Sequence, residues 1–313
     1  MILTVTPNTG LDRTVFLDRL RLGERNLARA AADGMGGKGC CVSLTLARLG
    51  EPTVAIGLAG GEIGRRVEAM LRAAGAVTDF VWTAGESRQN LVLIEASRRH
   101  TTICVEGLEA DADHAAALCE RIRHHARHAA AIVVAGSAPA TWPLALYEEV
   151  VRTARQATAS LVLDAAGDAL DRALRYRPDA VKPNRDELAA AVGRPVRTPG
   201  EAIAAAAELC RRGAGSVLAS LGVRGAVLVS GEGAWRAPAI RVPVGSPAGA
   251  GDAMTAALAL GLAHGLPPPA ILRTAIAFAA AAVQHPATGD LDPALVPDLR
   301  RRARTYRVAA SRE

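Results

Sequence analysis

Aromatic residues make up only 3% of this 313-residue chain. A single-stranded nucleic-acid platform needs rings along a basic groove. Here the rings are few and the basic residues are dispersed, so no nucleic-acid partner is expected. Lysine is scarce and arginine carries most of the positive charge, which we read as compositional bias. The net charge is +6, from 37 Lys+Arg against 31 Asp+Glu, a mild excess that suits an enzyme for anionic ligands. The runs Arg98-Arg99-His100 and Arg300-Arg301-Arg302 read as solvated faces.

The five cysteines are Cys40, Cys41, Cys104, Cys119 and Cys210. None has zinc-site spacing, and adjacent Cys40 and Cys41 are badly placed to bridge each other. The chain opens without a basic segment leading into an apolar one, so no secretory signal is expected. The apolar run Ala253 to Ala263 is too short for a membrane span. The expected setting is a reducing cytoplasm with free thiols. No internal repeat or long linker is present.

Half of the residues are hydrophobic, which allows a sizeable core. Ile2 to Thr6 reads as a buried strand ending at Pro7-Asn8. Arg13 to Leu17 and Asn26 to Ala31 read as a hairpin around a turn at Leu22-Gly23-Glu24. Gly34 to Gly39 is a glycine-rich turn into a helix from Cys40 to Leu49, stopped by Gly50. Thr53 to Leu58 predicts a strand and Gly64 to Ala74 a helix; Asn90 to Glu95 and Thr101 to Glu106 predict a second strand pair.

From Ala110 onward, strands and helices alternate. Strands are predicted at Ala131–Ala135, Leu161–Asp164, Ala180–Lys182, Ser216–Ser220 and Ala226–Val229. Helices are predicted at Trp142–Ala157, Arg185–Val192, Gly200–Arg212, Asp252–His264 and Pro267–Gln284. This rhythm implies an α/β fold with a mainly parallel sheet covered on both faces. The early strand pairs, near residues 12–32 and 88–106, form either a small lid or edge strands of the main sheet.

The most informative run is Gly245-Ser246-Pro247-Ala248-Gly249-Ala250-Gly251-Asp252, followed by a helix. Small residues let backbone N–H groups approach an anion, and a helix start adds its positive end. A carboxylate there is placed to take a proton from an attacking hydroxyl. Read alone, the run fits equally well an Asp that caps a helix.

The run resembles the signature of ribokinase-like sugar kinases, especially their phosphofructokinase-B group. The resemblance spans essentially the whole chain, through short motifs in the family's order. These are Thr6 to Arg13, Gly36-Gly37-Lys38-Gly39, Ser87-Arg88-Gln89-Asn90, Ala135 to Pro139, Lys182 to Leu188, and Ser220 to Gly225. It implies a ribokinase-like three-layer fold over residues 1–313 as a single kinase domain, with the lid inserted. It also implies ATP and Mg²⁺.

By position, the resemblance makes Asp252 the base and Gly249, Ala250 and Gly251 an anion hole. Asn184 and Glu187 would lie near Mg²⁺, in indirect contact, and near the ATP phosphates. Lys182, Ser220, Gly222 and Gly225 would line the nucleotide pocket, and Ala275 to His285 would cover the adenine. Asp12, Gly36, Gly37, Lys38 and Ser137 would meet the sugar, and Arg88 an acceptor phosphate. In the family such lids often pair, which implies a homodimer.

The sequence departs from the family pattern in three places. Cys41 replaces an Asn that contacts sugar. Leu27 replaces an Arg on the first lid strand, with Arg25 two residues away on the same face if that strand is regular. Ser246-Pro247-Ala248 replaces Ser-Thr-Val, and Pro247 removes a backbone donor. A further reading of Cys41 is a thiol activated by nearby Lys38. The implied reaction is phosphorylation of a ketohexose phosphate, as in 1-phosphofructokinases or tagatose-6-phosphate kinases. Alternatives are a kinase for an unphosphorylated sugar or nucleoside, and a non-catalytic sugar- or nucleotide-binding regulator.

Overall fold

The computed structural model describes residues 1–97, 99–105 and 107–308. Arg98 and Glu106, which the sequence places in a basic run and at a strand end, lie outside the described residues.

The chain begins with β1 (Ile2–Thr6), β2 (Gly10–Leu17), β3 (Ala30–Gly36), α1 (Lys38–Arg48), β4 (Thr53–Ala59), α2 (Gly61–Ala73) and β5 (Val77–Trp82). Four short strands follow, β6 (Ala84–Gly85), β7 (Arg88–Glu95), β8 (His100–Ile103) and β9 (Leu108–Glu109). The alternating region holds α3 (Ala112–Ala126), β10 (Ala131–Ala135), α4 (Leu144–Arg155), β11 (Ser160–Asp164), α5 (Gly167–Ala173), β12 (Ala180–Val181), α6 (Arg185–Ala191), α7 (Pro199–Arg211) and β13 (Ser216–Ser220). The last part is β14 (Ala226–Ser230), β15 (Gly233–Ala237), α8 (Ala250–Ala263), α9 (Pro268–Ala282), α10 (Val296–Arg302) and β16 (Tyr306–Val308).

The main sheet runs β16-β15-β14-β13-β12-β11-β10-β1-β4-β5. It is parallel from β13 to β5 and antiparallel from β13 to β16. Period-2 alternation sends opposite sides of each strand into different layers. On β10, Ile132 and Val134 pack with the layer holding α3 to α7. Ala131, Val133 and Ala135 face the layer holding α8 and α9. That second layer is rich in alanine, so its helices lie close together. A Cβ at Gly261 of α8 would fall 2.5 Å from Ile271 Cγ1 of α9.

Strand order reverses between β1 and β10, because the chain first builds outward through β4 and β5 and then crosses back. Open parallel sheets hold their ligand crevices outside the strand C-termini at such a point. β11 ends there at Asp164, and Lys182 follows β12.

The two early strand pairs belong to a separate four-stranded sheet, β3-β2-β7-β8, and are not edges of the main sheet. β2 pairs parallel with β7, which sets Gly10 opposite Arg88 and Asp12 opposite Asn90. β3 begins at Ala30, four residues later than the predicted Asn26. Asn26 closes the turn instead: its amide donates to the Arg21 and Glu24 carbonyls and its Oδ1 accepts from Arg21 N–H. Arg25 and Leu27 are therefore exposed in coil. With no strand there, the argument that Arg25 replaces Leu27 by alternation fails.

Gly261→Val should destabilise the fold by about 2 kcal/mol, because overpacking outweighs the gain in helix propensity. Denaturant unfolding with an unchanged m-value checks this.

Candidate functional site

Asp164 is the fixed point of the crevice. It is fully buried at the end of β11. Lys38 Nζ donates to its Oδ1 at 2.7 Å, Thr255 Oγ1 donates to its Oδ2 at 2.8 Å, and Lys182 Nζ lies 3.3 Å from Oδ2. Burial alone would raise the Asp164 carboxyl, but Lys182, Lys38 and the hydrogen bonds outweigh it and hold it below the usual carboxylate range. Lys38 and Lys182 are the only two lysines of the chain, and both sit on this one carboxylate.

Lys38 opens α1, after Gly37 turns the chain with φ 78°. Burial works against its charge, but Asp164, Glu187 and Asp252 together raise it above the ordinary lysine value. Glu187 Oε1 is 3.4 Å from its Nζ. Lys182 is 3% exposed, so it is not a solvated strand-end lysine.

Gly249 caps α8 with φ 87°, and a Cβ there would fall 2.5 Å from the backbone nitrogen of Gly289. The first-turn amides of α8 have no intrahelical acceptor. With the helix dipole they form an anion-binding end. A Cβ on Gly251 would lie 3.4 Å from Lys182 Nζ, so this end is lined by that ammonium. Asp252, in the same turn, is half-buried. Burial first, and then the charge of Asp164, push its carboxyl up to about 7, against the pull of Lys38 and Lys182.

The small sheet supplies the other wall. Asn90 Nδ2 donates to Asp12 Oδ1 at 2.8 Å, and a Cβ on Gly36 would fall 2.8 Å from that same oxygen. Burial pushes the Asp12 carboxyl up, against the Asn90 hydrogen bond and the charge of Arg88. The half-buried Arg88 has a buried Nε with no hydrogen-bond partner among the described residues. Gly10 leaves room for its stem, since a Cβ there would fall 2.7 Å from Arg88 Cγ. An orphaned buried donor beside Asp12 fits an acidic ligand group.

Asn184 caps α6, its Oδ1 accepting from Asp186 N–H at 2.8 Å and Glu187 N–H at 2.9 Å. Glu187 Oε2 accepts the Asn184 N–H at 2.8 Å, which completes a capping box. The carboxamide oxygen of Asn184 is thus committed to the cap, and its NH₂ is the group left for a ligand. Ser220 sits beside Asn184 through an isolated bridge. Gly222 is exposed at φ 59°. Gly225 is buried against the backbone of Ala237 to Ala239, as a turn residue is. Ser137 is exposed on the loop after β10; a Cβ on neighbouring Gly136 would lie 3.8 Å from the Lys38 nitrogen.

Cys41 does not behave as an activated thiol. It is 1% exposed, and its Sγ donates to the Met35 carbonyl at 3.3 Å. Burial first, then the charges of Asp252 and Asp12, push its pKa well above the ordinary value. Lys38, three residues earlier on α1, does not offset this, since its ammonium is held by Asp164 and Glu187.

Three parts of the site escape a reading by motif: Asp164, Thr255, and the segment around Thr288-Gly289. That segment is pinned to β3 by Met35 N–H donating to Thr288 O at 2.9 Å, and Gly289 lies against Cys41. The helical part of Ala275 to His285 is core: Ala275 is fully buried, as is most of α9. Ala279 and Val283 to His285 are partly open.

The model of the pfkB family of carbohydrate kinases matches residues 11–295. A 1-phosphofructokinase from Xanthomonas campestris pv. campestris is 36% identical over 265 residues, 83% of this chain and 83% of its own length. A 1-phosphofructokinase from Haloferax volcanii is 35% identical over 284 residues, 90% of this chain and 91% of its own. Phosphofructokinase-2 from Escherichia coli, in complex with substrates and products, superposes with a TM-score of 0.88 at 26% identity. That alignment covers 96% of this chain and 98% of the other.

Thiol titration tests the state of Cys41. In the folded protein the exposed Cys104 should react first, while Cys40, Cys41 and Cys119 should react only on unfolding.

Proposed function

The chain belongs to the pfkB family of carbohydrate kinases, and from that premise we propose that it transfers the terminal phosphate of ATP to a hydroxyl of a ketohexose phosphate, as a 1-phosphofructokinase does. The observation that carries this reading is the convergence of Asp252, the amide end of α8, Lys182 and Lys38 on one point.

In this reading the acceptor sugar lies between the small sheet and α8. Asp12 accepts its hydroxyls, with Asn90 holding the carboxylate in place. Gly36 and Gly37 let the backbone come close. The orphaned Arg88 guanidinium takes the acceptor phosphate, for which its planar fork is suited. Cys41 contributes to the floor of the pocket without reaching its surface.

Asp252 removes the proton of the acceptor hydroxyl as its oxygen bonds to the terminal phosphorus. The bond from that phosphorus to the bridging oxygen breaks, and ADP leaves with the electron pair. The amides of Ala250 and Gly251, with Lys182 and Lys38, hold the transferring phosphoryl group in line. Positioning and charge stabilisation are what such a transfer requires. Asp252 gives up its proton to solvent when the site opens.

Among the described residues no group of three or more His, Cys, Asp and Glu forms a metal cage. Magnesium does not need one, since it keeps several waters and rides on nucleotide phosphates. Glu187 fits an outer contact to it, whereas the committed oxygen of Asn184 makes its NH₂ a phosphate donor. When bound, the ion neutralises phosphate charge.

We take residues 1–313 as one kinase domain, with the small sheet as a lid that pairs in a homodimer. No helix of the described residues is long and apolar enough to cross a membrane; a cytoplasmic setting is part of this proposal. The departures at Cys41 and Leu27 favour, as the second reading, a kinase for an unphosphorylated sugar.

The roles of Asp252 and Arg88 and the choice of acceptor are each open to test. Asp252→Asn should lower kcat by about 10²–10⁴-fold; unchanged turnover would remove Asp252 from the mechanism. With that carboxyl near 7, kcat/KM should fall about tenfold from pH 8 to pH 6 as the base protonates. The same raised value means that folding favours the protonated form, so its contribution declines as pH rises from about 4 through 7. Asp252→Asn should therefore be more stable than wild type at pH 8, by about 1–2 kcal/mol. Finally, fructose 1-phosphate, fructose 6-phosphate, tagatose 6-phosphate, fructose and ribose should be compared as acceptors. Arg88→Ala should raise KM for the phosphorylated acceptor about tenfold or more and leave KM for ATP unchanged.

A further inference from the structure

At the opposite end of the main sheet lies a cavity of about 820 Å³. It opens at the N-terminal ends of β11, β12 and β13, whereas the phosphate-transfer crevice sits at their C-terminal ends. The five residues of β11 separate the two by on the order of 15 Å. Five arginines line it, with Asp179 as the single carboxylate.

Their arrangement follows from the fold. In an α/β layer the helices run against the strands, so helix C-termini gather at strand N-termini. Arg155 follows from α4, Arg211 and Arg212 from α7, and Arg175 and Arg177 from the short turn Leu174–Tyr176. Cations at helix C-termini are favoured by the dipole, which accounts for where they are. It does not account for how unequally they are paired.

Arg155 donates to Asp179 Oδ2 at 2.9 Å, and that same oxygen accepts the Leu161 N–H at 2.7 Å. Arg212 donates to Asp171 and to the Ala191 carbonyl, both at 2.7 Å. Arg175 is held only loosely, 3.6 Å from Glu148. Arg177 and Arg211 have no carboxylate or carbonyl partner for their side chains among the described residues. The paired arginines thus build the wall, and two guanidiniums remain uncommitted on it.

Arg177 is also the only residue other than glycine with positive φ among the described residues, at 50°. Side chains seldom adopt that conformation, and it persists only where the surroundings impose it. Here it presents a guanidinium at the cavity mouth. Gly213, Ala214 and Gly215 keep the floor free of bulky side chains, and the half-buried Tyr176 ring adds an apolar wall.

We infer that this cavity is a second binding site, for a small molecule that carries at least two linked phosphates. Two unpaired guanidinium forks suit two phosphate groups. The depression is open to solvent on one side and leaves room for more than a lone phosphate. The site depends on no step of the phosphate transfer proposed above.

Isothermal titration with inorganic pyrophosphate and with ADP tests it, on the wild type and on an Arg177→Gln/Arg211→Gln variant. Each guanidinium removed should weaken pyrophosphate binding about tenfold, while KM for ATP stays unchanged. Arg177→Gly, whose backbone accepts φ 50° without strain, and Arg211→Ala serve as single variants should the double variant fold poorly. Arg177→Gly should lose affinity while its Tm holds or rises, which a purely structural role would not produce. A component of ADP binding that the Arg177 and Arg211 variants lose, beyond the one they keep at the phosphate-transfer site, supports a nucleotide ligand; loss of pyrophosphate binding alone supports a free polyphosphate. The inference is overturned if wild type shows no saturable binding below about 1 mM, if the variants bind as wild type does, or if KM for ATP moves in step with pyrophosphate affinity.

Discussion

A carboxylate with no solvent contact holds this site together. Asp164 has both lysines of the chain and a threonine hydroxyl on its two oxygens. Burying one such charge costs several kcal/mol unless partners offset it. Two ammonium groups meet on Asp164, and Lys38 is shared with Glu187. Lys182 lies beside Gly251, which brings its charge to the amide end of α8. The arrangement also links elements distant in sequence, since β11, α1, the end of β12 and α8 each supply one member. Removing Asp164 would therefore leave two crowded ammonium groups as well as a missing carboxylate.

The same charge sets the ionisation of Asp252, the proposed base. Asp252 lies near enough to Asp164 that each carboxylate disfavours ionisation of the other, and the two lysines restrain the effect. The two groups part in opposite directions. Asp164, with direct hydrogen bonds, stays ionised, and Asp252 rises to about 7. Environments that push two acids apart in this way assign one to structure and one to proton transfer. A carboxyl raised to about 7 is more proton-avid than an ordinary aspartate, and the fold bears that as lost stability above pH 4.

Much of this was legible as ordered motifs. Central strands such as Ala131–Ala135 and Ser216–Ser220 match their predicted bounds, because short runs of Val, Ile, Leu and Ala between turns have few other uses in an alternating chain. The small sheet was harder to place. Its strands pair across some 78 residues, and the entry of β3 depends on Asn26 closing a local turn instead of extending a ladder. Asp252, Lys182, Asp12 and Arg88 were each singled out by a motif, whereas Asp164 does not announce itself. It reads as the last residue of a hydrophobic strand, and only the fold shows what surrounds it. The same holds for Thr288 and Gly289, which reach β3 and Cys41 from the far end of the chain.

Composition carried a signal of its own. With 37 Lys+Arg and just two lysines, this chain uses arginine almost wherever a cation will do. A guanidinium is planar, bulky and forked, whereas an ammonium is a compact point charge. Surface ion pairs and helix ends accept the former, as at Arg155 and Arg212 beside the far cavity. The space between Asp164, Glu187 and Gly251 demands the latter: Lys38 Nζ must serve two carboxylates, and Lys182 must fit beside a residue that can carry no Cβ without touching it. The two lysines that remain thus mark the positions where the chemistry of the site, and not charge alone, determines the residue.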